Sequence, residues 1–149
     1  MISLSSKGRY AIRAMLELGL RNNKNPVLLR DIAKTQKISQ KYLERIMVAL
    51  VSAGLVYSKR GQKGGFSLAK KPADINVLQI IQAVEGPVNP VPCVQSPHVC
   101  CRSKICVTRD IWVNLKNAVV SVLDDVSLDD LTRMHTERMK SADAQMYSI

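Results

Sequence analysis

The 149-residue chain has no apolar run approaching the ~20 residues that a bilayer-spanning helix needs. Its opening, Met1-Ile2-Ser3-Leu4-Ser5-Ser6-Lys7, lacks the succession of a signal peptide. Membrane and secreted classes drop out, and a cytoplasmic protein is expected. Histidine is nearly missing, with His98 and His135 alone, and His135 reads as a surface residue on a polar helix. There is no C-x-x-C at a strand–helix junction, no Gly-rich nucleotide loop and no suggestive carboxylate pair, so an enzyme is not expected. Acidic residues are scarce in one half. Residues 1–72 hold only Glu17, Asp31 and Glu44, against 15 Lys and Arg.

That half therefore carries a local net charge of +12, within a whole-chain value of +10. Residues 73–149 carry 7 basic and 9 acidic side chains, a local net of −2. So basic a half suits a polyanion, with nucleic acid first, and a solvated surface kept for solubility is the alternative. The basic residues spread over several elements and form no single amphipathic stripe, which argues against a membrane-surface helix. A hydrophobic content of 46% is that of a globular chain, with room for one compact domain plus an appendage, or two very small ones.

Periodicity supplies the elements. Ser5 or Ser6 caps a first helix running to about Asn23, with Tyr10, Ala11, Ala14, Met15, Leu18 and Gly19 on one face. Asn22-Asn23-Lys24-Asn25-Pro26 reads as a loop. Leu29, Ile32 and Ala33 mark a short helix to Gln36. Lys37-Ile38-Ser39 then turns into a third helix from Gln40 to about Ala53, closed by Gly54 in the left-handed conformation. Leu55–Ser58 and Phe66–Ala69 read as strands around a Gly-rich basic tip, residues 59–65. A helix over Asn76–Val84 follows. A loop from Gly86 to about Cys106 holds four of the six prolines and every cysteine. A long helix from Thr108 or Arg109 to Leu123 bears apolar residues around much of its circumference, so it should pack on its own core and on a second copy. Ser127 caps a last short helix to about Met139, and residues 140–149 should fray.

Three helices and a basic hairpin make a winged helix-turn-helix. The third helix would present Ser39, Gln40, Lys41 and Tyr42 to a major groove, with Glu44 and Arg45 one turn on. Gln40 can pair with adenine and Glu44 can accept from cytosine N4, whereas Lys41 and Arg45 suit phosphates. Tyr42 reads equally well as a half-buried packing residue. In the hairpin, Lys59, Arg60 and Lys63 sit among glycines, and Arg60 is the natural minor-groove probe.

Cys93, Cys100, Cys101 and Cys106 run C-x6-C-C-x4-C. Reduced cytoplasmic thiols argue against disulfides, and clustering in a Pro-bearing loop argues against core packing. Structural zinc usually shows a C-x2-C knuckle, and none occurs. Spacing ranks an iron–sulfur cluster first, a thiol switch favoured by Arg102 and Lys104 second, and zinc third.

Residues Leu4–Ala11, Ser39–Glu44, Arg60–Phe66 and the cysteine loop before Trp112 together resemble the IscR-type family of iron–sulfur winged-helix regulators, with CymR and NsrR as relatives. The resemblance covers about residues 2–135. It implies a homodimeric transcription factor paired through the long helix, with Ser39, Gln40, Tyr42 and Glu44 at the major groove and Arg60 in the minor groove. It implies that Glu44 helps discriminate operator classes. Cys93, Cys100 and Cys106 would be cluster thiolates, with Cys101 as an alternative or fourth ligand, and a 2Fe-2S cluster is preferred to 4Fe-4S. The histidine that the family places three residues after its last cysteine is Arg109 here, a poor ligand, so Cys101, His98 or a carboxylate must serve. The partner-helix aspartate of the NsrR type falls on Arg9. The stretch from Gly86 to Val91 and the end Tyr147-Ser148-Ile149 look more like CymR, which lacks the thiolate loop and works with a cysteine-synthase partner.

The expectation is thus a mainly α fold: a winged helix-turn-helix over residues 1–72, then, over 73–149, a cluster-binding loop at 86–107 and dimerisation helices. Its partners would be double-stranded DNA and a second copy, with no membrane. The targets would be genes of cluster assembly or sulfur metabolism. The alternative is a cluster-free, redox- or partner-controlled repressor of cysteine metabolism that binds a cysteine-biosynthesis enzyme.

Overall fold

Helix α1 (Ser6–Leu20) starts at a side-chain cap, Ser5 Oγ, which accepts from the Lys7 and Gly8 amides. The computed structural model describes residues 5–21 and 25–146. Leu4, Asn22–Lys24 of the expected loop and Tyr147–Ile149 lie outside the described residues. Helix α1 ends at Leu20 with Arg21 as its C-cap, earlier than the expected end near Asn23. Ala11, Ala14, Met15 and Leu18 are buried on the face that the sequence marks.

Helix α2 (Leu29–Gln36) stops where Lys37 enters the left-handed region at φ 52°, and Ile38 is buried beneath the turn. Helix α3 (Gln40–Ser52) follows at once from the Ser39 cap and buries Leu43, Ile46, Met47 and Leu50. Gly54 (φ 71°) closes it. Strands β1 (Val56–Lys59) and β2 (Gly65–Leu68) pair antiparallel, Val56 opposite Leu68 and Lys59 opposite Gly65. Val27 bridges Phe66 through two 2.8 Å backbone hydrogen bonds, so the chain entering α2 is tied to the hairpin base. Gly65 is required there, because its φ is 138° and a Cβ would meet the Val27 carbonyl oxygen at 2.5 Å.

Helix α4 (Val77–Glu85) opens on a full capping box between Asn76 and Gln79. It packs on α1 and α3, and Ile75, Ile80, Val84 and the later Leu128 join one core with Met15, Ile32 and Leu43. The segment expected to be a plain loop contains a helical turn, α5 (Pro92–Gln95), and a 3-10 turn at Pro97–Val99. Both begin with proline, which ends a helix from inside but suits its first turn, where no amide partner is needed.

Helix α6 (Val107–Asp124) contacts α4 and α5, and none of its residues is buried. Its end is stitched to the start of α4 by Asn76 Nδ2 to Asp124 Oδ1 (2.6 Å), and the first residue of the next helix by the Leu128 amide to the Ile75 carbonyl (2.7 Å). Helix α7 (Leu128–Met146) is longer than expected, continuing through the stretch that should fray. Lys140–Met146 contains no Gly or Pro and is mostly good helix formers, which is why it continues. Among the described residues no helix is long and apolar enough to cross a membrane.

Candidate nucleic-acid interface and cysteine loop

The first turns of α3 and the hairpin tip carry the candidate contacts. Ser39, Gln40, Lys41, Glu44 and Arg45 are all exposed, and so are Lys59, Arg60 and Lys63. Among the described residues none of Lys41, Arg45, Lys59, Arg60 or Lys63 has an ion-pair partner, so their charge is uncompensated. Such cations suit phosphates, whose neutralisation releases counterions. Ser39 caps α3 through a long 3.5 Å bond from the Tyr42 amide. Tyr42 itself is half-buried and meets the Tyr10 ring edge-on, centroids 5.9 Å apart at 85°. The structure places its ring in packing, with the other five α3 candidates facing outward.

A polar network that sequence reading missed fixes the turn before α3. Glu17 is only 5% exposed, pairs with Arg21 at 2.5 Å and accepts from Gln36 Nε2 at 2.9 Å. Arg13 donates to both the side-chain and backbone oxygens of Gln36 and lies over the Tyr10 ring at 5.5 Å. Arg21 also reaches Thr35 Oγ1. Arg13, Glu17 and Arg21 stand four residues apart along α1. That spacing, opposite charges on one helical face, was the available signal.

All four cysteines are free thiols; Cys93, Cys100 and Cys106 are half-buried and Cys101 is exposed. Cys93 sits on α5, and Cys106 is the N-cap residue of α6. Cys106 Sγ lies 3.1 Å from Thr108 Oγ1. That hydrogen bond, chiefly, holds the thiol below its ordinary value, aided by the Arg109 amide and Arg102 and opposed by burial. The thiol faces an open depression of about 420 Å3 that Lys104 and Arg109 also line. Arg109 Nε donates to the Cys93 carbonyl at 3.1 Å and so ties α5 to the first turn of α6. Among the described residues no three His, Cys, Asp or Glu side chains are gathered closely enough to hold a metal ion. Cys93, Cys100, Cys106, Cys101 and His98 are therefore not brought into one donor cluster. In kind, the donors fit an iron–sulfur cluster, which soft, reduced thiols can hold.

A family model described as Rrf2, iron-dependent transcriptional regulator, matches residues 4–134. The chain is 36% identical over 130 residues to the HTH-type transcriptional regulator CymR of Bacillus subtilis, covering 87% of this chain and 89% of that protein. It is 41% identical over 130 residues to the HTH-type transcriptional regulator IscR of Aliivibrio salmonicida, covering 87% and 77%. Among solved structures, CymR, the global cysteine regulator of B. subtilis, superposes with a TM-score of 0.74 at 36% identity, covering 90% of this chain and 98% of that one. The T. potens IscR structure gives 0.75 at 34% identity, covering 92% and 90%.

Proposed function

Because the chain belongs to the Rrf2 family of transcriptional regulators, we propose that it is a cytoplasmic homodimer that reads DNA with α3 and the hairpin and is controlled through its cysteine loop. The observation that carries this reading is the set of exposed, unpaired cations on α3 and the hairpin tip, flanking the outward Gln40 and Glu44. In it, Ser39, Gln40 and Glu44 address base edges in the major groove, Lys41 and Arg45 hold phosphates, and Arg60 enters the minor groove. Tyr42 fixes the height of α3 from the side. Residues 1–72 do the reading, and residues 73–149 provide control and pairing. Fluorescence anisotropy on labelled duplexes across a salt series tests this. Binding should weaken steeply with salt, and a protein that ignores duplexes at modest ionic strength, with or without iron, would overturn it.

For the control element, Cys93, Cys100 and Cys106 would hold an iron–sulfur cluster, with Cys101 or His98 as the remaining donor and 2Fe-2S preferred. Such a cluster supplies a redox- and iron-responsive state, and the targets would be cluster-assembly or sulfur genes. The soft donor set and the similarity to proteins named IscR support this reading. Anaerobically purified protein should be brown and contain iron and sulfide. Cys93→Ala and Cys106→Ala should each bleach it while leaving a folded protein. A colourless protein with stoichiometric zinc would retire the cluster.

Two observations favour a second reading, a cluster-free repressor of cysteine metabolism. Arg109 occupies the place of the expected histidine and is engaged with the Cys93 carbonyl, and the thiols are not gathered. Similarity to CymR is also as extensive as similarity to IscR. Here control would come from thiol oxidation or a cysteine-biosynthesis enzyme. Iron-free protein that forms mapped disulfides after peroxide and then changes its DNA affinity would decide for it.

A further inference from the structure

Arg13 belongs to the basic half of the chain, but its guanidinium is already engaged inside the protein. It is half-buried on α1 and donates through Nε to Gln36 Oε1 at 3.1 Å, and through a terminal nitrogen to the Gln36 backbone carbonyl. That carbonyl lies in the last turn of α2, where acceptors lack intrahelical partners and a cation is favoured. The Gln36 amide is pinned from its other end by the Glu17 carboxylate, which accepts from Nε2 at 2.9 Å and is itself paired with Arg21. The Arg13 guanidinium also lies 5.5 Å from the centre of the Tyr10 ring, and that ring packs against Tyr42 in the first turn of α3. Arg13 thus reaches both sides of the turn, residues 37–39, that joins α2 to α3. The turn has little hold of its own. Lys37 takes φ 52° without being glycine, and the Ser39 cap is a long 3.5 Å.

We propose that Arg13 is a positioning residue for sequence reading. It touches no DNA, and by clamping Gln36 and Tyr10 it sets the height and pitch at which α3 presents Gln40 and Glu44 to base edges. The inference rests on the reading of DNA by α3. It gives Arg13 a signature opposite to that of Lys41, although both are cations of the same half. A phosphate contact strengthens binding to every duplex and adds to the salt slope. Loss of the clamp instead displaces base-reading groups, which must be held within about 0.5 Å of their working geometry, so it acts on the preferred sequence alone. Lysine keeps the charge but lacks the planar fork that meets both Gln36 oxygens, so it should not replace Arg13.

Anisotropy titrations of the full chain test it, with a duplex selected by the wild-type protein from a random library and a scrambled duplex. They are run across a salt series, at a temperature well below the thermal midpoint of each variant. Arg13→Met and Arg13→Lys should each bind the selected duplex about tenfold more weakly, with scrambled-duplex affinity and salt slope unchanged. Gln36→Met, which alters no charge, should do the same, and combining it with Arg13→Met should add little further loss. Arg13→Lys carries the test if Arg13→Met does not fold. Equal loss on both duplexes in Arg13→Met, with a salt slope lower by about one, would make Arg13 a phosphate contact and overturn the proposal. Wild-type affinity for the selected duplex in folded Arg13→Lys would also overturn it, because the network would then serve stability alone. A wild-type protein that binds no duplex would overturn the reading of DNA itself, and the wild-type titration separates that failure from the other two.

Discussion

Glu85 does at the N-terminus of α1 what a capping residue does, although it comes from the end of another helix. Its carboxylate accepts from the Ser5 hydroxyl and the Gly8 amide, where the helix dipole favours negative charge. Gly8 leaves it room, since a Cβ at that position would clash with Glu85 Oε1. Two terms of opposite sign therefore meet in Gly8→Ala. Helix propensity favours Ala by about 1 kcal/mol, and displacing charge-assisted hydrogen bonds costs about 1.5–3 kcal/mol when they are well formed. Gly8→Ala should lower unfolding stability slightly in the wild-type background. In a Glu85→Ala background the same change should raise it. Urea melts of the four proteins check the reversal, and additive effects would refute the contact. Asp130 gives a pH signature of the same kind. The Ser127 hydroxyl and amide donate to its carboxylate, aided by Arg133, and hold it below the usual carboxylate value. A folded value below the unfolded one means that the stabilisation is complete above the unfolded value and is lost as pH falls through the folded one. The difference in thermal midpoint between wild type and Asp130→Ala should thus be full at neutral pH and vanish in strong acid.

At the level of elements, the proposed reading of DNA by α3 and the hairpin would separate affinity from specificity. Lys41→Ala should weaken every duplex alike and reduce the salt slope by about one. Glu44→Ala should leave that slope unchanged and relax discrimination at one base pair, worth about 1–3 kcal/mol. Anisotropy titrations on operator and scrambled duplexes distinguish the two; a changed slope for Glu44→Ala would remove it from base reading. These elements were legible because local chemistry dictates them: the Ser5 and Ser39 caps and the glycine at 54 are signals within a few residues of what they control. Less legible was what depends on partners far along the chain. The burial of Glu17 depends on Gln36, and the position of Tyr42 depends on Tyr10. The four-residue spacing along α1 marks the Glu17–Arg21 pair, but periodicity within one helix reports neither the Gln36 contact that buries Glu17 nor the Tyr10 contact of Tyr42. The turns at Pro92 and Pro97 carry no distinguishing sequence signal, because proline usually marks an end. The cysteine spacing was plain from the start, but spacing along a chain does not bring side chains together, and Arg109 binding a backbone carbonyl had no sequence signature.

At the scale of the whole molecule, charge and apolar surface are segregated. Basic side chains concentrate before residue 73. Among the described residues, α6 exposes several large apolar side chains, with Val107 at 78%, Val122 at 66% and Ile111 at 59% exposed. With Ala118, these residues recur at intervals of four, seven and four, which lines them along one side of the helix. A single copy offers one α3 to the groove. Two copies joined along this stripe would offer two, and the second contact would then be intramolecular, which multiplies affinity without any new interaction. Ile111→Lys places a charge in the middle of the stripe at a position that makes no core contact in the single chain, so folding should survive. Sedimentation should show a dimer for the wild type and a monomer for the variant. Operator affinity should fall by about two orders of magnitude, while binding to a single half-site stays within a few-fold. If Ile111→Lys still sediments as a dimer, the pairing surface is not this stripe. If it is monomeric but binds the full operator as before, the two α3 helices do not act together.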